Sequence, residues 1–198
     1  MNAIKNLAAR LMFAATMAWG SGAALAAPVY YHVDIDTASL GTGTAYLGLT
    51  FLGLDGADAE AKVTDFVGSL VGTGSSSGDV TGSLPNLLSF GSAGGGGDFF
   101  QSIVLGGVFS FNVAFEVGTG DIGSAFSYSL FNDTQYLGAN GDLGTFFLDP
   151  TADKEVQVTM PAANQLSSVT AVPEPASLLL VLTAMSMILL TSQRLRRR

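Results

Sequence analysis

Ten consecutive residues, VFSFNVAFEV from Val108 to Val117, alternate so strictly that they fit an extended strand and little else. Phe109, Phe111, Val113, Phe115 and Val117 fall on one face; Val108, Ser110, Asn112, Ala114 and Glu116 fall on the other. A face of three phenylalanines and two valines must be covered by another layer. The chain supplies the cover, because weaker strand patterns recur at Tyr30 to Asp36, Ala45 to Leu54, Phe99 to Leu105, Ala125 to Phe131, Gly144 to Leu148 and Glu155 to Met160. Their connections are rich in Gly, Asp, Asn and Ser, the residues turns require. Several short strands at roughly ten-residue spacing predict an all-β fold, an antiparallel β-sandwich of jelly-roll-like type spanning residues 27–160.

Three kinds of segment fit this pattern less directly. DAEAKVTDFVGSL, Asp58 to Leu70, has Val63, Phe66, Val67 and Leu70 at helical spacing with Asp58 as an N-cap, yet Gly68 and the β-branched residues favour a strand. The glycine-rich stretches Gly72 to Asp79 and Gly91 to Asp98 read as mobile loops. PAANQLSSVTA, residues 161–171, is polar and uncharged and reads as a spacer.

At 198 residues the chain is long enough for one domain with a real core. With no cysteine, neither a disulfide nor a thiol nucleophile is available. Between Ala27 and Val172 fifteen Asp and Glu face only Lys62 and Lys154, a net charge of −13, with His32 the single histidine. Such a surface repels phosphate backbones, which argues against nucleic acid as a partner.

The remaining basic residues sit at the ends. Lys5 and Arg10 precede the apolar stretch LMFAATMAW, and GSGAALAA supplies the small residues a signal peptidase accepts, so residues 1–26 read as a secretory signal peptide. Ala24-Leu25-Ala26 meets the small-x-small rule and places cleavage between Ala26 and Ala27. At the other end, Ala176 to Leu190 is mostly Leu, Ala, Met and Val. As a helix these residues span roughly 22 Å against a hydrocarbon core of about 30 Å, and Thr191 and Ser192 extend it slightly. Ser177, Thr183, Ser186 and Thr191 can bond back to their own helix, so a short membrane helix at 176–192 is expected. Arg194, Arg196, Arg197 and Arg198 belong on its cytoplasmic side, which puts the bulk of the chain across the membrane, where the signal peptide also sends it.

Val172, Pro173, Glu174 and Pro175 stand immediately before that helix. Each proline fixes its own φ and keeps the preceding residue out of the helical region, so the four residues should be extended, a form a membrane-facing peptidase can read. The Val-Pro-Glu-Pro motif, the short apolar helix and the terminal arginine cluster together resemble the PEP-CTERM sorting signal over residues 172–198, about a seventh of the chain. The resemblance implies a Gram-negative, exopolysaccharide-producing host. There an integral-membrane exosortase would cut near the motif and deliver the protein to the cell surface or extracellular matrix. On this reading Val172, Pro173, Glu174 and Pro175 are substrate residues, and the chain's partners are signal peptidase, the exosortase, the membrane before processing and the exopolysaccharide.

No chemistry-bearing motif survives its context. GTGDIG, Gly118 to Gly123, spells a dinucleotide loop but is followed by a strand pattern instead of a helix. GSSSG, Gly74 to Gly78, spells a nucleophile elbow around Ser76 without a following helix or downstream histidine. Asn132-Asp133-Thr134 matches a glycosylation acceptor and reads better as a turn. The expected function is therefore that of a non-enzymatic, structural or adhesive surface protein with no cofactor. A carbohydrate- or calcium-binding module is the alternative, with Asp55, Asp58 and Glu60 as calcium ligands and Tyr30, Tyr31, Tyr128 and Tyr136 as sugar-stacking rings. A secreted two-carboxylate glycosidase is a third reading.

Overall fold

The computed structural model describes residues 28–53, 59–118, 123–150, 156–173 and Thr183. They form two six-stranded antiparallel sheets. In chain order the strands are β1 (Val29–Asp36), β2 (Thr44–Leu52), β3 (Ala59–Val67), β4 (Leu70–Gly78), β5 (Val80–Gly82), β6 (Leu88–Gly91), β7 (Gly96–Val104), β8 (Val108–Val117), β9 (Ser124–Phe131), β10 (Asp142–Pro150), β11 (Val156–Thr159) and β12 (Ser167–Val172). The first sheet has the order β12-β1-β8-β3-β6-β5 and the second β11-β10-β9-β2-β7-β4.

The alternation of β8 does what its pattern predicts. Phe109, Phe111, Val113 and Phe115 are at most 2% exposed and point into one core shared by both sheets. β1 and β3 flank β8, and they bury Tyr31, Val33, Ile35, Ala61 and Val63 by the same parity. From the other side Leu47, Leu49 and Phe51 of β2, Phe126, Tyr128 and Leu130 of β9, and Phe146 and Leu148 of β10 close the layer. Rings meet across the gap. Phe115 lies 5.8 Å from Phe126 and 5.1 Å from Phe146, Tyr31 lies 5.2 Å from Phe146, and Phe90 lies 5.6 Å from Phe126. Offset and edge-on pairs of this kind add about 0.5–1.5 kcal/mol each beyond the area they bury.

The segment Asp58 to Leu70, ambiguous in sequence, is strand rather than helix where it is described: Ala59–Val67 form β3, Gly68 and Ser69 turn the chain, and Leu70 opens β4. The GSSSG elbow does not form, because Ser76 lies exposed within β4.

Three segments differ from expectation. Gly72 to Asp79, expected as a loop, forms most of β4 at the edge of the second sheet. Two features make this possible. The ring of Phe99 occupies the space a Cβ on Gly74 would need. The strand also bulges between Val71 and Ser75, and there the buried Gln101 amide donates to the carbonyls of Val71 (3.0 Å) and Gly72 (3.4 Å). Gly91 to Asp98 is likewise structured, with a short 3₁₀ turn at Ala93–Gly95 leading straight into β7.

The third difference is the expected spacer, whose second half is β12. Asn164 sets its start. Its Oδ1 accepts from the backbone of Leu166 (3.0 Å) and Ser167 (2.9 Å), and its Nδ2 donates to the Leu143 carbonyl (2.7 Å). Leu166 is then buried, and β12 pairs with β1 from Ile35↔Ser167 to Tyr30↔Val172. The folded unit thus runs to Val172.

Buried Tyr128 ties β12 to the second sheet through a 2.6 Å bond between its hydroxyl and Ser167 Oγ. Burial raises the Tyr128 pKa above the usual tyrosine value of 10.0, and the Ser167 bond pulls it partly back; burial raises Tyr31 as well. A raised folded pKa means the unfolded chain releases the proton first. The contribution of these two tyrosines is therefore fully present below about pH 10 and is lost as pH rises through the raised values.

Two outcomes follow for urea denaturation. Phe115→Ala should destabilise by about 3–5 kcal/mol, while Phe147→Ala, at a side chain 51% exposed, should stay within about 0.5 kcal/mol of wild type. Tyr128→Phe should lose roughly 1–3 kcal/mol at neutral pH by stranding Ser167, and should fall less steeply than wild type as pH rises above about 10.

Candidate functional site

The two outer faces of the sandwich carry different chemistry. On the first sheet, Asp34, His32, Asn112 and Asp65 line up across β1, β8 and β3. His32 Nδ1 bonds Asn112 Oδ1 at 2.7 Å, its Nε2 lies 3.3 Å from Asp34, and Asn112 Nδ2 donates to Asp65 at 2.9 Å. Both ring nitrogens of the only histidine are thus engaged with neighbouring oxygens.

Glu60 and Glu116 share Lys62, each 2.9 Å from its Nζ, and Glu60 also accepts from Ser89 Oγ. The Ser89 bond, ahead of Lys62, holds Glu60 below its ordinary pKa, and Glu116 raises that of Lys62. This is the opposite of the raised carboxyl a glycosidase acid requires. Glu60 is thus committed to Lys62 and Ser89, while Asp55 and Asp58 lie outside the described residues. Among the described residues no three His, Asp or Glu side chains converge as a metal site.

The four tyrosines named as sugar-stacking rings separate cleanly. Tyr31 and Tyr128 are core residues, 5% and 1% exposed, so they cannot stack on a ligand. Tyr30 is half-buried on the outer face of β1. Tyr136 is 53% exposed and belongs to a ring cluster that the sequence did not single out. In the turn before it, Asn132 Oδ1 accepts from the backbone of Thr134 and Gln135, each at 3.0 Å, which is the Asx turn expected there.

That cluster lies on the outer face of the second sheet. Tyr46 on β2 and Phe131 on β9 are direct cross-strand partners, their rings stacked 5.6 Å apart at 26°. Phe100 on β7 and Tyr136 meet Phe131 edge-on at 5.9 and 6.0 Å. Gly48 is the floor. A Cβ there would come within 2.7 Å of Ser129 Oγ and 3.0 Å of Phe131 Cε1, so only glycine lets the rings lie over the sheet. Beyond Tyr136 an open depression of about 690 Å³ is lined by Gln135, Tyr136, Gly138, Ala139 and Asn140.

At the edge of the first sheet β1 and β12 bring the two ends of the folded unit together. Val172, the first motif residue, pairs with Tyr30, and Pro173 follows with no N–H to extend the ladder. Ala26, Ala27, Glu174, Pro175 and Arg194, Arg196, Arg197 and Arg198 lie outside the described residues. Among the described residues no helix is long and apolar enough to cross a membrane, and the expected helix at 176–192 lies outside them except for Thr183.

Comparison with protein-family models, with curated proteins and with solved structures finds no match, so function rests on these residues and their geometry.

Proposed function

We propose that this chain is an exported, non-enzymatic surface or matrix protein of a Gram-negative exopolysaccharide producer. In this reading signal peptidase cuts between Ala26 and Ala27, and the helix at 176–192 holds a precursor in the inner membrane. An exosortase then processes the precursor through Val172, Pro173, Glu174 and Pro175. The mature protein has a structural or adhesive role at the cell surface or in the extracellular matrix.

The observation that carries the reading is the pairing of Tyr30 with Val172. β1 opens just behind the expected signal-peptidase bond, and β12 closes on the first residue of the motif. A folded unit bounded this tightly by two processing signals keeps its described strands when the flanking segments are removed, since those strands run from Val29 to Val172. The proline after Val172 stops the strand, so a bond cut beyond it would stand outside the hydrogen-bonded ladder. With little chain between sandwich and motif, the enzyme works against the folded edge at the membrane surface.

The strand order supports a jelly-roll-like description. The chain changes sheet at each step from β1 to β5 and again from β6 to β9, leaving β1-β8-β3-β6 opposite β2-β7-β4.

The test follows a chain with an epitope tag near its N-terminal expected cut, in host cells with and without the exosortase. With the enzyme, a shorter product should reach the surface or medium. Without it, or with Glu174→Ala and Pro175→Ala combined, the longer precursor should stay with the inner membrane. Equal size and location in all these cells would overturn the sorting role.

A further inference from the structure

We infer that the ring cluster of Tyr46, Phe100, Phe131 and Tyr136 on the outer face of the second sheet is a binding site for a neutral polysaccharide. This gives the adhesive role proposed above its partner, and it rests on that reading for its extracellular setting alone.

The face has the chemistry such a ligand needs. A sugar ring presents weakly positive C–H bonds on its flat side and hydroxyls round its rim. The first are drawn to the negative faces of aromatic rings, and the second need short polar partners. Tyr46 is 40% exposed, Phe100 39% and Tyr136 53%, and the half-buried Phe131 joins all three. Ser102 on β7 pairs directly with Tyr46, two positions from Phe100, while Gln135 and Asn140 border the depression at the Tyr136 end. The rings are held before any ligand arrives, since each packs on Phe131 over the Gly48 floor. Little side-chain freedom is left to lose on binding.

Charge selects the neutral class. On this face Asp98 is engaged by the Thr50 hydroxyl at 2.8 Å, and no lysine or arginine lies among the described residues of the second sheet. A uronate-bearing chain would meet an acidic protein with no cation among the described residues of this face to receive it. Area argues against a second copy of this chain as the occupant. The four rings together offer roughly 300 Å², the size of a functional patch on a monomer. Each partner of a standard protein interface buries about 800 Å².

The test uses the full-length chain purified in mild detergent, with amorphous cellulose and a β-1,3-glucan as neutral probes and alginate as the anionic one. Both neutral probes, or one of them, should retain the protein, and alginate should not. Tyr46→Ala, Phe100→Ala and Tyr136→Ala should each weaken retention roughly threefold to tenfold. Phe100→Tyr should keep it, and Thr170→Ala on the opposite sheet should leave it unchanged. Melting curves matching wild type establish that the variants are folded. Failure to bind either neutral probe would overturn the site, as would retention indifferent to the three alanines or stronger binding to alginate. Ring-dependent self-association without glycan retention would overturn it in favour of a contact between copies. Sorting is read in cells and glycan retention on purified protein, so either proposal can fail without the other.

Discussion

Phe115 of β8 touches Tyr31 on its own sheet and Phe126 and Phe146 on the other, and the rest of the sandwich depends on that meeting of rings. The chain has no cysteine, so no covalent bridge can hold the sheets together. What keeps them face to face is apolar burial, at roughly 25 cal/mol per Å², with ring geometry setting their spacing. Every strand that contributes to the layer must also present the correct parity, because a slip of one residue would turn its apolar side chains to water.

With the core so defined, the outer faces are free to differ. The first sheet spends its outward positions on a ladder of Asp, His, Asn, Glu and Lys whose members satisfy one another. The second carries hydroxyls, the exposed apolar residues Leu52, Val104 and Phe147, and the cluster of four rings over a glycine. Self-contained ion pairs leave little to offer a ligand, whereas rings that no described residue covers remain sticky. The edge of the first sheet has a separate job, since β1 and β12 gather the chain's two exits at one place.

Much of this was legible in the sequence. Alternation located β1, β2, β7, β8, β9, β10 and β11 to within a few residues over what is described, because their inward positions are apolar and their turns are rich in glycine and asparagine. β4 was hidden, because a Gly/Ser strand has no apolar period and exists only through Phe99 and Gln101 on its neighbour. β12 was hidden for a related reason: Asn164 and the pairing with β1 place it, and both depend on the fold. The ring cluster could not be read from single strands either. FFQSIVL and AFSYSLF carry apolar residues at both parities, so which of Phe99 and Phe100, or Leu130 and Phe131, faces outward is settled by the partner sheet. Which tyrosines could stack on a ligand is undecided in sequence on the same ground, and Tyr31 and Tyr128 prove to be core residues.

The central claim is that a sandwich delimited by Tyr30 and Val172 is released by cuts just outside that pair. Mass spectrometry of the intact protein recovered from the host's surface or medium tests it most directly, since both new ends appear in one mass. The expected product begins at Ala27 and ends within or just beyond the Val172 to Pro175 motif, with any attached lipid or glycan adding to that mass. A surface-located product that still carries the segment from Ala176 to Arg198, or whose C-terminus falls inside β12, would contradict it.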